Sequence, residues 1–134
     1  MNRPTVVGRV GKFNLCFRQE QLTSHAGTVV LQDFAQRLGV ERVLDEELRV
    51  KVRERGYSEG QAISGLVYNL ILGGGHLSEL GVLRGDPGTQ EVLNAETIPA
   101  PTTAGEFLRK FDIGDVPELQ RVHLRLQQQV REHQ

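Results

Sequence analysis

Apolar residues recur at helical spacing along most of the chain. The clearest case precedes three consecutive glycines at positions 73–75, where apolar residues follow an i, i+3, i+4, i+7, i+8 pattern. They are Ile63, Leu66, Val67, Leu70 and Ile71. Ser58 and Gln61 form a capping-box pattern just before this run. We therefore predict a helix here that ends at the glycines and serves as the central core element.

Shorter apolar stripes predict six further helices. In the first of them, Val30, Phe34 and Leu38 form one apolar face, with Ser24 as the N-cap and Gly39 after the last residue. Other start signals are Asp86-Pro87 and a Thr103/Glu106 capping box. The six segments run over about 24–38, 41–55, 76–84, 87–93, 103–111 and 116 to near the end.

The first residues follow a different pattern. Residues 6–17 alternate loosely between apolar and polar positions, and Gly8 and Gly11 interrupt them, which predicts one strand or a short hairpin. The predicted fold is thus mainly α: six to seven helices in a compact domain, with a short N-terminal strand or hairpin. We divide the chain into a strand segment (1–20), a helical domain (21–114), and a terminal or linker helix (115–134) leading toward a domain outside this sequence.

Composition narrows the class of protein. The 134 residues are 38% apolar and 25% charged with a net charge of −1, which is typical of a globular domain. A single cysteine, Cys16, excludes an internal disulfide. No apolar run approaches the roughly 20 residues of a membrane span, and the start does not resemble a signal peptide. We therefore expect a cytoplasmic protein with no membrane partner.

No complete catalytic centre is found in the sequence. The four histidines lie outside any HxxxH spacing, and no CxxC pattern exists, so we expect no metal site. Gly73-Gly74-Gly75 follows a predicted helix and lacks the Lys and Ser/Thr of a P-loop, which favours a helix–helix corner. Cys16 lies in a predicted strand between Leu15 and Phe17, where a small buried residue is far more common than a catalytic thiol. The chain by itself is therefore predicted not to be an enzyme and to hold no cofactor.

DNA contact without catalysis is compatible with two groups of residues. Thr102 and Thr103, at the start of a predicted helix, can meet a phosphate, while Arg109 and Lys110 face the DNA backbone. The alternative is a capped core helix with two exposed cations. Arg53 and Arg55 near the end of the second predicted helix either contact phosphate or pair with the negative helix C-terminus.

Several segments, taken in order, resemble one protein family. The most distinctive is Leu72-Gly73-Gly74-Gly75-His76-Leu77. It is followed by the acidic-proline turn Asp86-Pro87 and by the run Pro101-Thr102-Thr103, which opens a predicted helix. The whole set is residues 22–27, 38–39, 55–58, 70–80, 83–87 and 98–108. In order and spacing they resemble the N-terminal region of bacterial insertion-sequence transposases of the DDE type, in the group-one DDE transposase domain.

The resemblance implies a role for this part of the chain. In that family the catalytic acidic residues lie on an RNase H-like fold beyond the matching region, so none is carried over to this sequence. Mg²⁺ is expected for that absent catalytic domain. This part would bind the terminal inverted repeats of the transposon, or help to assemble the complex, in DNA transposition.

Two other functions remain open from the sequence. The second hypothesis is a helical protein–protein interaction module that self-associates through one face of its last predicted helix. That face consists of Leu119, Val122, Leu126 and Val130. The third hypothesis is a truncated gene product without a function of its own.

Overall fold

The computed structural model describes residues 6–11, 13–16, 27–50, 56–93 and 98–133. In these residues the chain forms a two-stranded hairpin and seven α-helices, so the predicted mainly helical class is confirmed. The strands are β1 (Val6–Val10) and β2 (Phe13–Cys16). The helices are α1 (Thr28–Leu38), α2 (Val40–Glu47), α3 (Glu59–Ile71), α4 (Leu80–Gly85), α5 (Pro87–Leu93), α6 (Pro101–Leu108) and α7 (Val116–Glu132). Single 3₁₀ turns at Leu77–Glu79 and Ile113–Asp115 precede α4 and α7.

The N-terminal hairpin is antiparallel. Val10 pairs with Phe13, and the register shifts between Val6 and Gly8. Gly11 has φ of +55° at the turn, a conformation that glycine adopts without steric cost. Of the two glycines predicted to interrupt the strand, Gly11 forms the turn of the hairpin and Gly8 lies at the irregularity in its register.

Several predicted helix boundaries are confirmed. Gly39, with φ of 62° and ψ of 39°, ends α1 and also precedes α2. The Ser58 hydroxyl accepts the Gln61 N–H at 3.1 Å, and the Gln61 side chain accepts the Ser58 N–H at 3.0 Å, as a capping box requires. Asp86 accepts the Thr89 N–H at 2.8 Å at the start of α5. Helix α1 begins at Thr28 with Gly27 as its N-cap, so the predicted N-cap at Ser24 is wrong; Ser24 itself lies outside the described residues.

Boundaries of α2 and α6 also differ from the predictions. The second helix ends at Glu47 rather than near residue 55, because Leu48 turns to an extended conformation that buries Leu48 and Val50 and exposes Arg49 between them. The Thr103/Glu106 capping box is absent as well. Helix α6 begins earlier, at Pro101, whose fixed φ suits the first helical position.

The apolar face of α3 does not lie where the sequence pattern placed it. The buried residues of α3 are small or polar. In its C-terminal half, the most exposed residues are large and apolar. The buried set is Gly60, Ala62, Ser64, Gly65 and Asn69. Val67, Leu70 and Ile71 are 43%, 66% and 55% exposed. The first helix is similar, since Leu38 is buried while Val30 and Phe34 are more than half exposed.

Three clusters of buried side chains hold the helices together. The first joins α4, α5 and α6 through Leu80, Leu83, Leu93, Ile98 and Ala104. The second joins α2 to α7 through Val43, Leu44, Leu48 and Val122. The third contains Val50, Ala62 and Phe107. The last helix thus packs directly on α2, and the division of the chain at residues 20 and 114 stays a prediction. In the described part of the chain, no helix is long and apolar enough to cross a membrane.

Candidate nucleic-acid interface

Helix α6 is fixed to the core on its inner side. Ala104 and Phe107 are buried, and the Phe107 ring meets the Phe111 ring edge-on, with centroids 5.2 Å apart. A β-carbon on Gly105 would lie 3.5 Å from Leu77 Cδ1, so the 3₁₀ turn before α4 packs closely on this helix. The helix therefore presents its outer side chains from a rigid support.

Four of the six predicted DNA-contacting residues lie on α6 or directly after its last residue. Thr102, Thr103, Arg109 and Lys110 are all exposed. The Arg109 guanidinium turns back along the helix, because its Nη1 would lie 3.6 Å from a β-carbon on Gly105. Arg109 is the C-cap of α6, seven residues after Thr102, and Lys110 lies in the turn that follows, where its N–H donates to the Phe107 carbonyl at 3.0 Å. The other two predicted residues, Arg53 and Arg55, lie outside the described residues.

The N-terminus of α6 presents backbone donors beside the threonine hydroxyls. The first backbone bond in the helix runs from Ala104 N–H to Ala100 C=O, at 2.9 Å, so the N–H groups of Thr102 and Thr103 precede the helical ladder. Ala100, at the N-cap, contributes no side-chain hydrogen bond. These groups and the positive end of the helix dipole suit a phosphate oxygen.

Glu106 adds a negative charge beside the cations Arg109 and Lys110. The sequence analysis treated it only as a capping residue. It is exposed and lies three residues after Thr103 on α6, so the two side chains share one helix face. Its carboxylate reduces the positive charge of that surface. The signal that identifies it is the i, i+3 spacing of Thr103 and Glu106 in the sequence.

Polar contacts join α2 and the segment after it to α7. The backbone N–H of Arg49 donates to the Glu118 carboxylate at 3.1 Å, which ties the extended segment after α2 to α7, while the Arg49 guanidinium donates to the Asp45 carbonyl at 3.4 Å. Arg125 donates to Glu46 at 2.8 Å and to Glu47 at 2.9 Å, and Arg121 donates to Glu47 at 3.1 Å. Hydrogen bonds from Arg125 and Arg121 hold the pKa of Glu47 below its ordinary value. The sequence patterns did not indicate these contacts between distant helices.

A cleft of about 760 Å³ lies among α1, α2 and α3. Glu41 and Tyr68 line it. Burial, together with the nearby charge of Asp45, raises the pKa of the Glu41 carboxyl. Burial, with Glu41 nearby, raises the pKa of Tyr68 to about 12. Arg42 and Arg49 also line this cleft, so its walls carry both signs of charge.

Metal-ligating residues do not converge in the part of the chain that the structure describes. No group of three or more His, Cys, Asp or Glu side chains there is arranged to hold an ion. The two-metal chemistry of DNA cleavage needs such carboxylates. The absence of a cofactor from the chain stays an expectation.

The predicted self-association face of α7 is divided by the fold. Val122 is only 5% exposed, because it packs against α2, and Leu126 is partly buried beside it. Leu119 is exposed, and Val130 lines an open groove of about 470 Å³ with Leu126 and His123. Val122 is therefore used inside the chain, and the groove near Val130 is the part left for a partner.

Comparison with known proteins adds no relative. No protein-family model, no curated protein and no solved structure matches this chain.

Proposed function

We propose that this chain is the non-catalytic N-terminal part of a DDE transposase and that it contacts the DNA of the transposon ends through α6. The observation that carries the proposal is the exposure of Thr102 and Thr103 on α6 and of Arg109 and Lys110 directly after it, while the opposite side of the helix is buried. The ordered resemblance of the sequence to that family supports the same function.

The arrangement of α6 matches what a DNA phosphate needs. Two hydroxyls and two backbone N–H groups lie at the positive end of the helix dipole, and Arg109 folds back toward that end. Such contacts fix the position of a protein on the duplex without reading its sequence. Helix α6 therefore supplies affinity, and any preference for transposon ends comes from further contacts.

The test is a titration of the chain against fluorescent duplexes at several salt concentrations. One duplex carries the inverted repeats that flank its own coding sequence, and another has the same composition in scrambled order. Each lost phosphate contact reduces the slope of log K against log salt by about 0.9. The double variant Arg109→Ala/Lys110→Ala is expected to reduce this slope by about 2.

A charge-matched control separates a specific surface from general attraction. Arg42→Ala/Arg131→Ala removes two exposed cations from α2 and α7, and we expect it to keep the wild-type slope. Equal loss in both double variants would reject α6 as the contact. Equal binding of repeat and scrambled duplexes would reject end recognition, and no binding at the lowest salt would reject DNA contact altogether.

A protein–protein interaction module is the second candidate. The open groove beside Leu126 and Val130 favours it, since an apolar groove on a terminal helix suits a partner helix. Sedimentation of wild type and Val130→Glu tests this function. A concentration-dependent dimer that Val130→Glu abolishes would support it.

A further inference from the structure

The cleft among α1, α2 and α3 contains a buried hydroxyl without a partner. Ser64 lines this cleft and is only 7% exposed. Its Oγ atom is buried and accepts or donates no hydrogen bond among the residues that the structure describes. Buried polar side chains in folded proteins are nearly always hydrogen-bonded. An unpartnered hydroxyl at the wall of a cleft therefore indicates a partner from outside the chain.

The packing of α3 on α2 places this hydroxyl. Gly60 touches the backbone of Glu41, and its N–H donates to the Asp45 carboxylate at 2.6 Å. Ser64 and Tyr68 follow Gly60 at i+4 and i+8, so the three residues form one stripe along α3. Both Ser64 and Tyr68 line the cleft. The stripe thus begins at the closest contact of the two helices and continues along the cleft.

Two further polar groups of the cleft lack a hydrogen-bond partner in the described structure. Desolvation and the charge of Asp45 raise the pKa of the Glu41 carboxyl, and no hydrogen bond counters this rise. The Tyr68 phenol is in the same position, with Glu41 as the nearby charge that raises its pKa. The charges that act on these two groups are thus negative, which favours a positively charged ligand.

The other charged residues of the cleft do not neutralise Glu41. The Glu46 carboxylate accepts from Arg125 at 2.8 Å, so it is paired with α7. The Arg49 guanidinium donates to a backbone carbonyl of α2 at 3.4 Å. Neither Arg42 nor Arg49 offsets the rise in the pKa of Glu41, although both line the cleft. An uncompensated carboxylate therefore remains beside the two hydroxyls.

We propose that this cleft binds a small organic ammonium ion, that is, a protonated primary amine on a short carbon chain. An ammonium group has three N–H donors, and Glu41, Ser64 and Tyr68 supply three oxygen acceptors, one of them charged. Ser64 presents its hydroxyl by turning about its Cα–Cβ bond, which breaks no existing hydrogen bond. Ala35 and Val40 also line the cleft and give the carbon chain an apolar surface.

The cleft is separate from the proposed DNA contact. None of the described residues that line it lies on α6. Its volume of about 760 Å³ is within the range of roughly 300–1,000 Å³ that is typical of small-molecule sites. Binding of an amine and binding of DNA can therefore fail independently of each other.

NMR titration of the ¹⁵N-labelled chain tests the proposal with three probes of equal chain length. We expect hexylammonium to bind with a dissociation constant on the order of 1 mM and to shift the amide signals of Gly60, Ser64 and Tyr68. Hexanoate and hexanol should bind at least about tenfold more weakly, because the first is repelled by Glu41 and the second forms no ion pair with it. A wild type that binds no hexylammonium, or binds hexanoate equally well, would overturn the proposal.

Two variants assign the binding to the cleft. Glu41→Gln should weaken hexylammonium binding by at least about tenfold, whereas Glu132→Gln, which removes an exposed carboxylate from α7, should bind like wild type. Equal affinities of both variants would show general attraction to acidic groups and would reject the site.

Ser64→Ala separates a binding role from a structural one. It removes a hydroxyl without a partner, so the melting temperature should stay equal or rise, while hexylammonium binding should weaken by about fivefold. A lower melting temperature with unchanged affinity would show that the Ser64 hydroxyl supports the fold and does not contact the ligand.

Discussion

Gly60 of α3 lies directly against Glu41 of α2, so that a β-carbon on Gly60 would lie 2.9 Å from the Glu41 Cα and would overlap the Glu41 carbonyl oxygen. The obstacle is backbone, which cannot move aside as a flexible side chain would. This contact brings the two helices together and also decides which face of α3 points outward.

Gly60→Ala should therefore destabilise the fold. We expect a loss of about 1–3 kcal/mol in the free energy of unfolding, measured by urea denaturation. Gly81→Ala in α4 is the matched control, because its β-carbon would meet only Pro101 Cγ at 3.9 Å. That variant should be neutral or gain roughly 0.5–1 kcal/mol from higher helix propensity. Equal effects at both positions would contradict the close helix contact.

The pairing of Glu47 with Arg121 and Arg125 predicts a loss of stability in acid. The pKa of Glu47 is lowered in the folded chain, so its contribution is present above its ordinary value of 4.5 and disappears as the pH falls through the folded value. We expect the melting temperature of Glu47→Gln to be lower at pH 7 and to fall less than that of wild type below pH 4.5. Glu132→Gln, an exposed carboxylate at the end of α7, should follow the wild-type curve.

Tyr68 predicts a loss of stability in alkali. Burial favours its neutral phenol and raises its pKa from 10.0 to about 12. Its contribution is therefore complete below pH 10 and is lost as the pH rises from 10 toward 12. Tyrosine absorbance measured during a pH titration should contain a late phenolate step that is missing in Tyr68→Phe. A Tyr68 step centred near pH 10 would show that the phenol is in water.

Glu106 predicts a gain of function by substitution. If α6 contacts DNA, the carboxylate of Glu106 repels the phosphates, and Glu106→Gln should raise affinity for duplex DNA. An exposed charge contributes roughly 0.2–1 kcal/mol, which corresponds to a gain of up to about fivefold at low salt. Fluorescence anisotropy measures this, with Glu132→Gln as the control for net charge. An equal gain in the control would assign the effect to overall charge alone.

Local signals predicted the helices well because their causes are local. The capping box at Ser58 and the glycine at position 39 act within one or two turns, and both are confirmed. The end of α2 was missed because Leu48 and Val50 are buried by distant residues, which the helical pattern of residues 41–55 does not contain.

The orientation of α3 shows a second limit of periodicity. The spacing of Ile63, Leu66, Val67, Leu70 and Ile71 correctly predicts a helix. It does not determine which face is buried, because Gly60 allows a closer approach to α2 than a large residue would. Exposure of Thr102, Thr103, Arg109 and Lys110 agreed with the sequence reasoning, while their DNA contact stays a proposal.

The packing of α7 on α2 also bears on the order in which this protein folds. Glu47 and Arg125 are 78 residues apart in sequence, and Val122 completes the cluster of Val43, Leu44 and Leu48. During synthesis, α2 leaves the ribosome before α7 has been made. The side chains of Val43, Leu44 and Leu48 then lack the contact with Val122 that they have in the folded protein. Loop closure over that separation slows folding. The side chains of α2 that Val122 covers are therefore apolar surface that the nascent chain exposes until α7 is made.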